Sequence, residues 1–302
     1  MKVLVTGGAG FIGSNVVKLL EEKGIKAIIL DDFSCANFKN LQKLKADVIC
    51  ADILEEKIFK KLPKIDAVIH EAAITDTTLK YNKKMVMVNF EGFKNVLNFS
   101  LKKKIKFIYA SSAGVYGGGT SVMKETQTLR PLNTYAYSKH LCDCFALKIM
   151  KKVKTLIVGL RYFNVYGPGE YHKKKAASMI YQLYLQMKEN NRPRIFKYGE
   201  QKRDFVYVKD VARITIECLN FKKSVILNVG TGQARSFNEI ISILNKVLHK
   251  KLNPQYFENP YKEVYQNYTC ADITLLKKFK LETKFRLEDG IKDYVKNYLE
   301  KI

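Results

Sequence analysis

The sequence predicts an α/β fold, a doubly wound parallel sheet with a smaller α/β lobe beside it, on three observations. Short β-branched runs at residues 2–5, 27–30, 47–50, 67–70, 107–110 and 155–160 alternate with longer amphipathic stretches, the rhythm of parallel strands joined by helical crossovers. The first run passes straight into Gly7-Gly8-Ala9-Gly10-Phe11-Ile12-Gly13. From about Tyr166 the spacing loosens, with a helix expected over 176–188 and strand-like segments at 205–211 and 225–229. The expected division is a sheet-forming part at 1–165, with returns near 205–229, and a second lobe drawn mainly from 166–302. No repeat or low-complexity linker separates them, so the lobes are expected to pack on each other.

The first βαβ unit carries the first chemistry. Gly7 can turn the chain out of its strand, Gly10 lets the backbone approach a phosphate, and Gly13 lets the helix lie close to the sheet. Phe11 and Ile12 open that helix, whose unpaired N–H groups and positive dipole end suit a pyrophosphate. Asp31 and Asp32 follow the second run, where a carboxylate accepts from ribose hydroxyls. Strand, spacing, helix and downstream acid agree, which makes this a Rossmann-type dinucleotide site.

A second constellation lies in the middle of the chain. Tyr135 and Lys139 are four residues apart on a predicted helix and share a face. A phenol, with an ordinary pKa near ~10, is a poor base, but a neighbouring cation favours the phenolate. Tyr135 thus reads as a general acid and base with Lys139 beside it. Ser112 ends the fifth run, at the sheet edge where ligands bind, and its hydroxyl can hold the substrate oxygen that Tyr135 deprotonates.

Composition sets the outer bounds. The chain has 302 residues, 47% of them hydrophobic, enough for a large core and too many for a disordered protein. No apolar stretch approaches the ~20 residues that span a bilayer, and the first strand begins without a leader pattern, so a cytoplasmic location is expected. The net charge of +24 invites a nucleic-acid reading. Its lysines lie in scattered short runs with no binding module around them, so no nucleic-acid partner is expected. The six cysteines lack a paired C-x-x-C pattern, and neither disulfides nor a metal site are expected. His140 and His249 have no partner pattern.

With the glycine loop, Ser111-Ser112-Ala113 and Tyr-x-x-x-Lys in this order over nearly its whole length, the chain resembles the extended short-chain dehydrogenase/reductase family. The resemblance implies that Glu71, Ala72, Ala73, Asn89 and Val165 contact a nicotinamide cofactor. It also implies that the segments holding Asn164 and Arg203 bind a nucleotide-sugar diphosphate. Dehydratases of the family carry an Asp-Glu pair where Ala113 and Gly114 stand here, so water elimination is not expected. A narrower likeness rests on residues 70–78, Tyr116-Gly117-Gly118, residues 165–173, Ala177-Ser178-Met179 and Val264-Tyr265-Gln266. It is to the branch that inverts C6 of ADP-linked manno-heptoses. That branch implies an ADP-heptose substrate, NADP with NAD as the alternative, a homo-oligomer, and supply of lipopolysaccharide inner core in a Gram-negative bacterium.

The chemistry so implied is oxidation of the C6 alcohol by NADP to a transient ketone, which turns over and receives the hydride on its opposite face. Tyr135 serves one side, and Lys173 matches the second acid/base group. A lysine fills that role only if burial or a nearby cation lowers its pKa; Lys174 and Lys175 are the candidate cations. Neutralisation of phosphate is the other reading of Lys173. Asn37 stands where NADP-preferring relatives carry lysine, leaving Lys39 to reach a 2′-phosphate. Lys175 also falls at a substrate-contact position. Phe196 is expected beside the adenine, Arg203 on the diphosphate as a charge-assisted fork, and Tyr265 over the nucleotide pocket. A UDP-hexose 4-epimerase shares the glycines, Ser112, Tyr135 and Lys139 without needing Lys173. A non-catalytic nucleotide-sensing or RNA-associated protein would need neither Tyr135 nor Lys139.

Overall fold

The computed structural model describes residues 1–76, 83–260 and 266–301, with nothing taken from the Lys175 side chain. The first half runs β1 (Lys2–Thr6), α1 (Phe11–Glu22), β2 (Lys26–Asp31), β3 (Asp47–Cys50), α2 (Ile58–Lys61) and β4 (Ala67–His70). It continues through α3 (Lys83–Val86), α4 (Phe93–Lys103), β5 (Lys106–Ser112), α5 (Thr134–Met150) and β6 (Ile157–Tyr162). The second half contains β7 (Asn164–Tyr166), α6 (Met179–Lys188), β8 (Arg194–Phe196), β9 (Lys202–Tyr207), α7 (Val208–Glu217) and β10 (Val225–Val229). It closes with β11 (Ala234–Ser236), α8 (Phe237–Leu248), β12 (Gln255–Phe257), α9 (Thr274–Lys278) and α10 (Leu287–Asn297).

Seven strands form one sheet in the order β10-β6-β5-β4-β1-β2-β3, and every neighbouring pair is parallel. The doubly wound α/β fold is therefore present. Side chains alternate across each strand. Val3, Val5, Ile29, Ile69 and Leu160 enter one core with α1 and α7. Leu4, Ile28, Val68 and Phe107 enter the other with α4 and α5. A third core, including Leu183, Phe205, Ile240 and Ile291, fills the second lobe, whose small sheets are β11-β9-β7 and β12-β8.

Two elements differ from the sequence reading. The strand expected over 205–211 ends at Tyr207, and α7 starts at Val208. Val208, Val211, Ala212, Thr215 and Ile216 are buried at helical spacing, a pattern that the apolar run hid. The helix expected from 176 begins at Met179, after Ser178 accepts the Tyr181 N–H. The order of the sheet reverses direction between β1 and β4, and in such sheets the crevice at that switch point takes the ligand.

Candidate active site

At the carboxyl ends of the strands lies a cavity of about 1880 Å³ shared by the sheet and the second lobe. Its floor begins with the glycine loop. A Cβ on Gly7 would stand 2.5 Å from the Ala72 nitrogen, and one on Gly13 would stand 2.1 Å from the Gly7 carbonyl oxygen. Glycine is thus required where β1, β4 and the start of α1 converge. Gly10, Phe11, Ile12 and Gly13 line the cavity, so the N-terminal amides of α1 border it.

Asp31 ends β2 and lines the cavity with Asp32. Its two oxygens accept the Ala9 and Phe33 N–H groups, each at 2.9 Å; burial raises its pKa while those amides pull it down. Asp32 accepts from the Ser34 amide and hydroxyl. Ser34, Cys35, Ala36 and the residues from Ala51 to Ile53 complete this end, and none stood out in the sequence because their side chains carry no motif. Lys39, expected to reach toward a 2′-phosphate, is exposed and does not line the cavity; the Asn37 side chain caps its amide in a turn at Phe38–Leu41.

Glu71, Ala72 and Ala73 follow β4 along the cavity. Burial pushes the Glu71 carboxyl up to about 7, with Tyr162 and Lys139 opposing the rise. The neighbouring His70 ring is buried beside Lys139 and held neutral, its pKa lowered to about 3, while its Nδ1 lies 2.7 Å from Thr6 Oγ1. Asn89, expected at the cofactor, is 1% exposed and stands behind the residues that line the cavity. Its amide accepts from the Ile74 N–H at 2.8 Å and donates to Ser138 Oγ at 2.9 Å and to the Ile74 carbonyl at 3.0 Å. It ties the segment after β4 to α5.

Helix α5 brings Tyr135 and Lys139 to the same cavity as Ser112 from β5. Asn133 caps the helix by accepting the Ala136 N–H, which fixes Tyr135 in the first turn. Lys139 is buried, and its ammonium donates to the Ala110 carbonyl at 2.8 Å. Ser112 Oγ accepts the Gly114 N–H at 3.0 Å, which leaves its hydroxyl hydrogen to donate. One turn beyond Lys139, Asp143 accepts from Arg161 Nε and Tyr109 Oη, each at 2.9 Å. That buried pair anchors α5 to β5 and β6.

Lys173 enters from the second lobe. The chain leaves β7 through Gly167-Pro168-Gly169, where Gly167 has φ 137° and Gly169 φ 98°, backbone that favours glycine. Asn15 of α1 donates to the Pro168 carbonyl. Glu170 is 1% exposed and accepts from the Gly167 amide, the Ser178 amide and the Ser178 hydroxyl. Its own carbonyl accepts the Lys173 N–H. Lys173 thus borders the cavity with its ammonium 5.6 Å from the centre of the Phe11 ring. Burial lowers its pKa, and Glu170 opposes that; Lys174, expected as a perturbing cation, is exposed and takes no part in the shift. Glu170 stood inside the stretch 165–173 that carries the narrower likeness but without a role of its own, because its partner Ser178 caps the next helix.

Asn164, Val165, Phe196 and Arg203 line the remaining wall. Asn164 accepts from Thr269 Oγ1 at 2.9 Å, Phe196 packs edge to face on Phe257, and Arg203 lies 5.9 Å from the Phe237 ring centre. Asp204 next to it turns inward to hold Thr231, Gly232 and Ala271. Tyr265, with Val264, Thr77 and Thr78, lies outside the described residues, as does the Lys175 side chain. All six cysteines are unpaired. Among the described residues no helix is long and apolar enough to cross a membrane, and no cluster of His, Cys, Asp and Glu could hold a metal ion.

A dinucleotide-type sheet edge that shares one cavity with a Tyr-x-x-x-Lys helix defines a nucleotide-binding α/β enzyme. Residues 3–230 match the NAD dependent epimerase/dehydratase family, and the chain belongs to that family. It is similar to ADP-L-glycero-D-manno-heptose-6-epimerase of Helicobacter pylori, at 39% identity over 100% of this chain and 96% of that one, with a TM-score of 0.93. It is also similar to UDP-glucose 4-epimerase of Thermotoga maritima, at 29% identity, coverage of 100% and 99%, and TM-score 0.92. UDP-N-acetylglucosamine 4-epimerase of Methanobrevibacter ruminantium aligns at 27% identity with the same coverages and TM-score 0.92.

Proposed function

We propose that this enzyme inverts C6 of an ADP-linked manno-heptose, using Tyr135 and Lys173 as acid/base groups on two sides of one cavity. The observation that carries the reading is Lys173 itself: a lysine bordering the cavity from the second lobe, with its pKa lowered by burial. The 39% identity to a heptose epimerase supports the substrate. A 4-epimerase shares the sheet-side residues and has no use for a second amine base.

The residues fit a nicotinamide dinucleotide. The glycine loop leaves room that any Cβ at Gly7 or Gly13 would fill, and α1 presents its N-terminal amides to a pyrophosphate. Gly10, Phe11, Ile12 and Gly13 would hold that group, Asp31 the adenosine ribose, and the segment from Glu71 to Ala73 the nicotinamide end. When bound, the dinucleotide supplies a reversible hydride acceptor. NADP is implied by the heptose-epimerase likeness; Asp31 inside the cavity and Lys39 outside it favour an unphosphorylated ribose, and we read NAD as the better fit.

The protein's own part is proton transfer and positioning. Ser112 donates to the substrate oxygen, Tyr135 takes its proton in one orientation, and Lys173 does so in the other. Arg203 holds the diphosphate while the sugar turns. Only the neutral amine accepts a proton, so turnover is expected to fall as pH drops through the lowered pKa of Lys173. Lys173→Met is expected to lower kcat for ADP-heptose by about 10²–10⁴-fold with dinucleotide occupancy unchanged. A mere phosphate contact would instead raise KM with kcat intact. Parallel assays with UDP-glucose test the 4-epimerase reading, and turnover of that sugar alone would overturn the substrate.

A further inference from the structure

Two asparagines from the first half of the chain reach the turn that carries Lys173. Asn15, in α1, donates from its side-chain nitrogen to the Phe11 carbonyl at 2.9 Å and to the Pro168 carbonyl at 2.8 Å. Asn40, in the connection between β2 and β3, donates in the same way to the Ala9 carbonyl at 3.0 Å and to the Gly169 carbonyl at 3.3 Å. Carbonyls only accept, and a carboxamide nitrogen carries two hydrogens. Each asparagine therefore gives one hydrogen to the glycine loop or the start of its helix and the other to the second lobe.

The four acceptors face each other across one seam. Ala9 and Phe11 flank Gly10, and Pro168 and Gly169 are consecutive in the turn after β7. Ala9 is held from its other side by Asp31, which accepts its N–H at 2.9 Å. Gly169, at φ 98°, lies against the first turn of α1: a Cβ there would stand 3.3 Å from Asn15 Nδ2 and 3.5 Å from the Phe11 carbonyl oxygen and from Ser14 Oγ. The seam also accounts for the place of the Lys173 ammonium, 5.6 Å from the centre of the Phe11 ring, since the Phe11 carbonyl shares Asn15 with Pro168. Glu170, by gripping Gly167 and Ser178, sets the shape of the turn. The asparagines set where that turn stands against the glycine loop.

We propose that Asn15 and Asn40 are positioning residues that fix Lys173 relative to the loop on which a dinucleotide would rest. The proposal rests on the reading of Lys173 as an acid/base group. Misplacing such a group by about 1 Å costs about 10²-fold in rate, and a turn joined to the loop through two amides keeps its distance from it. Neither asparagine lines the cavity, so their loss removes no group that meets a ligand.

The test is the double variant Asn15→Ala/Asn40→Ala, read by kinetics and by a titration of Lys173 that needs no turnover. Carbon-13 spectra of reductively methylated protein report the lysine amines, and the Lys173 signal is the one missing from Lys173→Met. In the parent it is expected to titrate below the ordinary lysine value near ~10.4, because burial lowers it while Glu170 opposes the shift; His172 is its other titratable neighbour. A turn released from the loop admits water to the amine, so the midpoint in the double variant is expected to rise toward that value. At saturating ADP-heptose, kcat is expected to fall by about 10²-fold. In a Lys173→Met background the same pair of substitutions is expected to change kcat by less than about twofold, since the group they place is gone. A midpoint that stays where it was, or an equal loss of kcat in the Lys173→Met background, overturns the proposal; dinucleotide affinity lost with the midpoint unmoved would make the asparagines props of the glycine loop alone. Should the double variant fail to fold, Asn40→Ala carries the titration, with a smaller rise expected, and no rise overturns the proposal. If the parent does not turn over ADP-heptose, the titration still decides the positioning, and the failure belongs to the substrate reading.

Discussion

The glycine loop after β1 and the turn that carries Lys173 border the same cavity and are built in opposite ways. The glycines of the loop are held by backbone: Gly7 donates to the Leu30 carbonyl, Gly10 to the Gly7 carbonyl and Ser14 to the Gly10 carbonyl, while at Ala9 the Asp31 and Asn40 side chains take the N–H and the carbonyl. Its constraint is the absence of side chains. The Lys173 turn is held by side chains from elsewhere, with buried Glu170 gripping Ser178 and Asn15 of α1 reaching across to Pro168. A backbone cradle presents fixed dipoles to an anion and needs no adjustable group. A base must keep its amine out of water at one place, and that takes a scaffold of partners.

Breaking the side-chain scaffold is expected to have the larger effect. Glu170→Ala strands the buried Gly167 and Ser178 amides and frees the Lys173 segment, so kcat should fall by about 10²-fold for a displacement near 1 Å. Dinucleotide affinity should stay within about twofold, since α1 and its loop are untouched. Calorimetry and saturating-substrate kinetics on the same preparation check both halves. Equal losses in binding and kcat would show that the two regions are one unit.

Gly13→Ala attacks the other region. Its new methyl would stand 2.1 Å from the Gly7 carbonyl oxygen, an overpacking worth about 1–3 kcal/mol of stability. Denaturant unfolding should show that loss, and dinucleotide affinity should drop with it, while Lys173 keeps its pH dependence in whatever fraction remains loaded. A variant as stable as the parent would mean that the loop shifts more freely than its contacts imply.

The smallest effect is expected at Lys39. Because it lies outside the cavity lining, Lys39→Ala should change NAD and NADP affinities by less than about twofold, with NAD bound at least as tightly as NADP. Calorimetric titration of both dinucleotides decides this. A selective loss of NADP affinity would restore Lys39 as the 2′-phosphate contact.

This contrast also explains what could be read from the sequence. The glycine loop, Asp31, and the Tyr135–Lys139 spacing were legible because each constraint falls within one strand, turn or helix. Lys173 was visible only through resemblance, since Glu170 and Ser178 look like ordinary loop residues until the chain folds. Asn89 was visible through resemblance, but its ties to Ile74 and Ser138 were not, because those partners lie 15 and 49 residues away.

The seventh strand of the main sheet, β10, is made long after β6, its sole neighbour on that side. On the ribosome, where chain emerges from the N-terminus onward, the edge of β6 stands unsealed while most of the second lobe is still being synthesised. An open parallel edge invites pairing with foreign strands. The nascent chain is therefore most exposed to aggregation in the interval before residues 225–229 arrive, and truncation before that point would leave the exposure permanent.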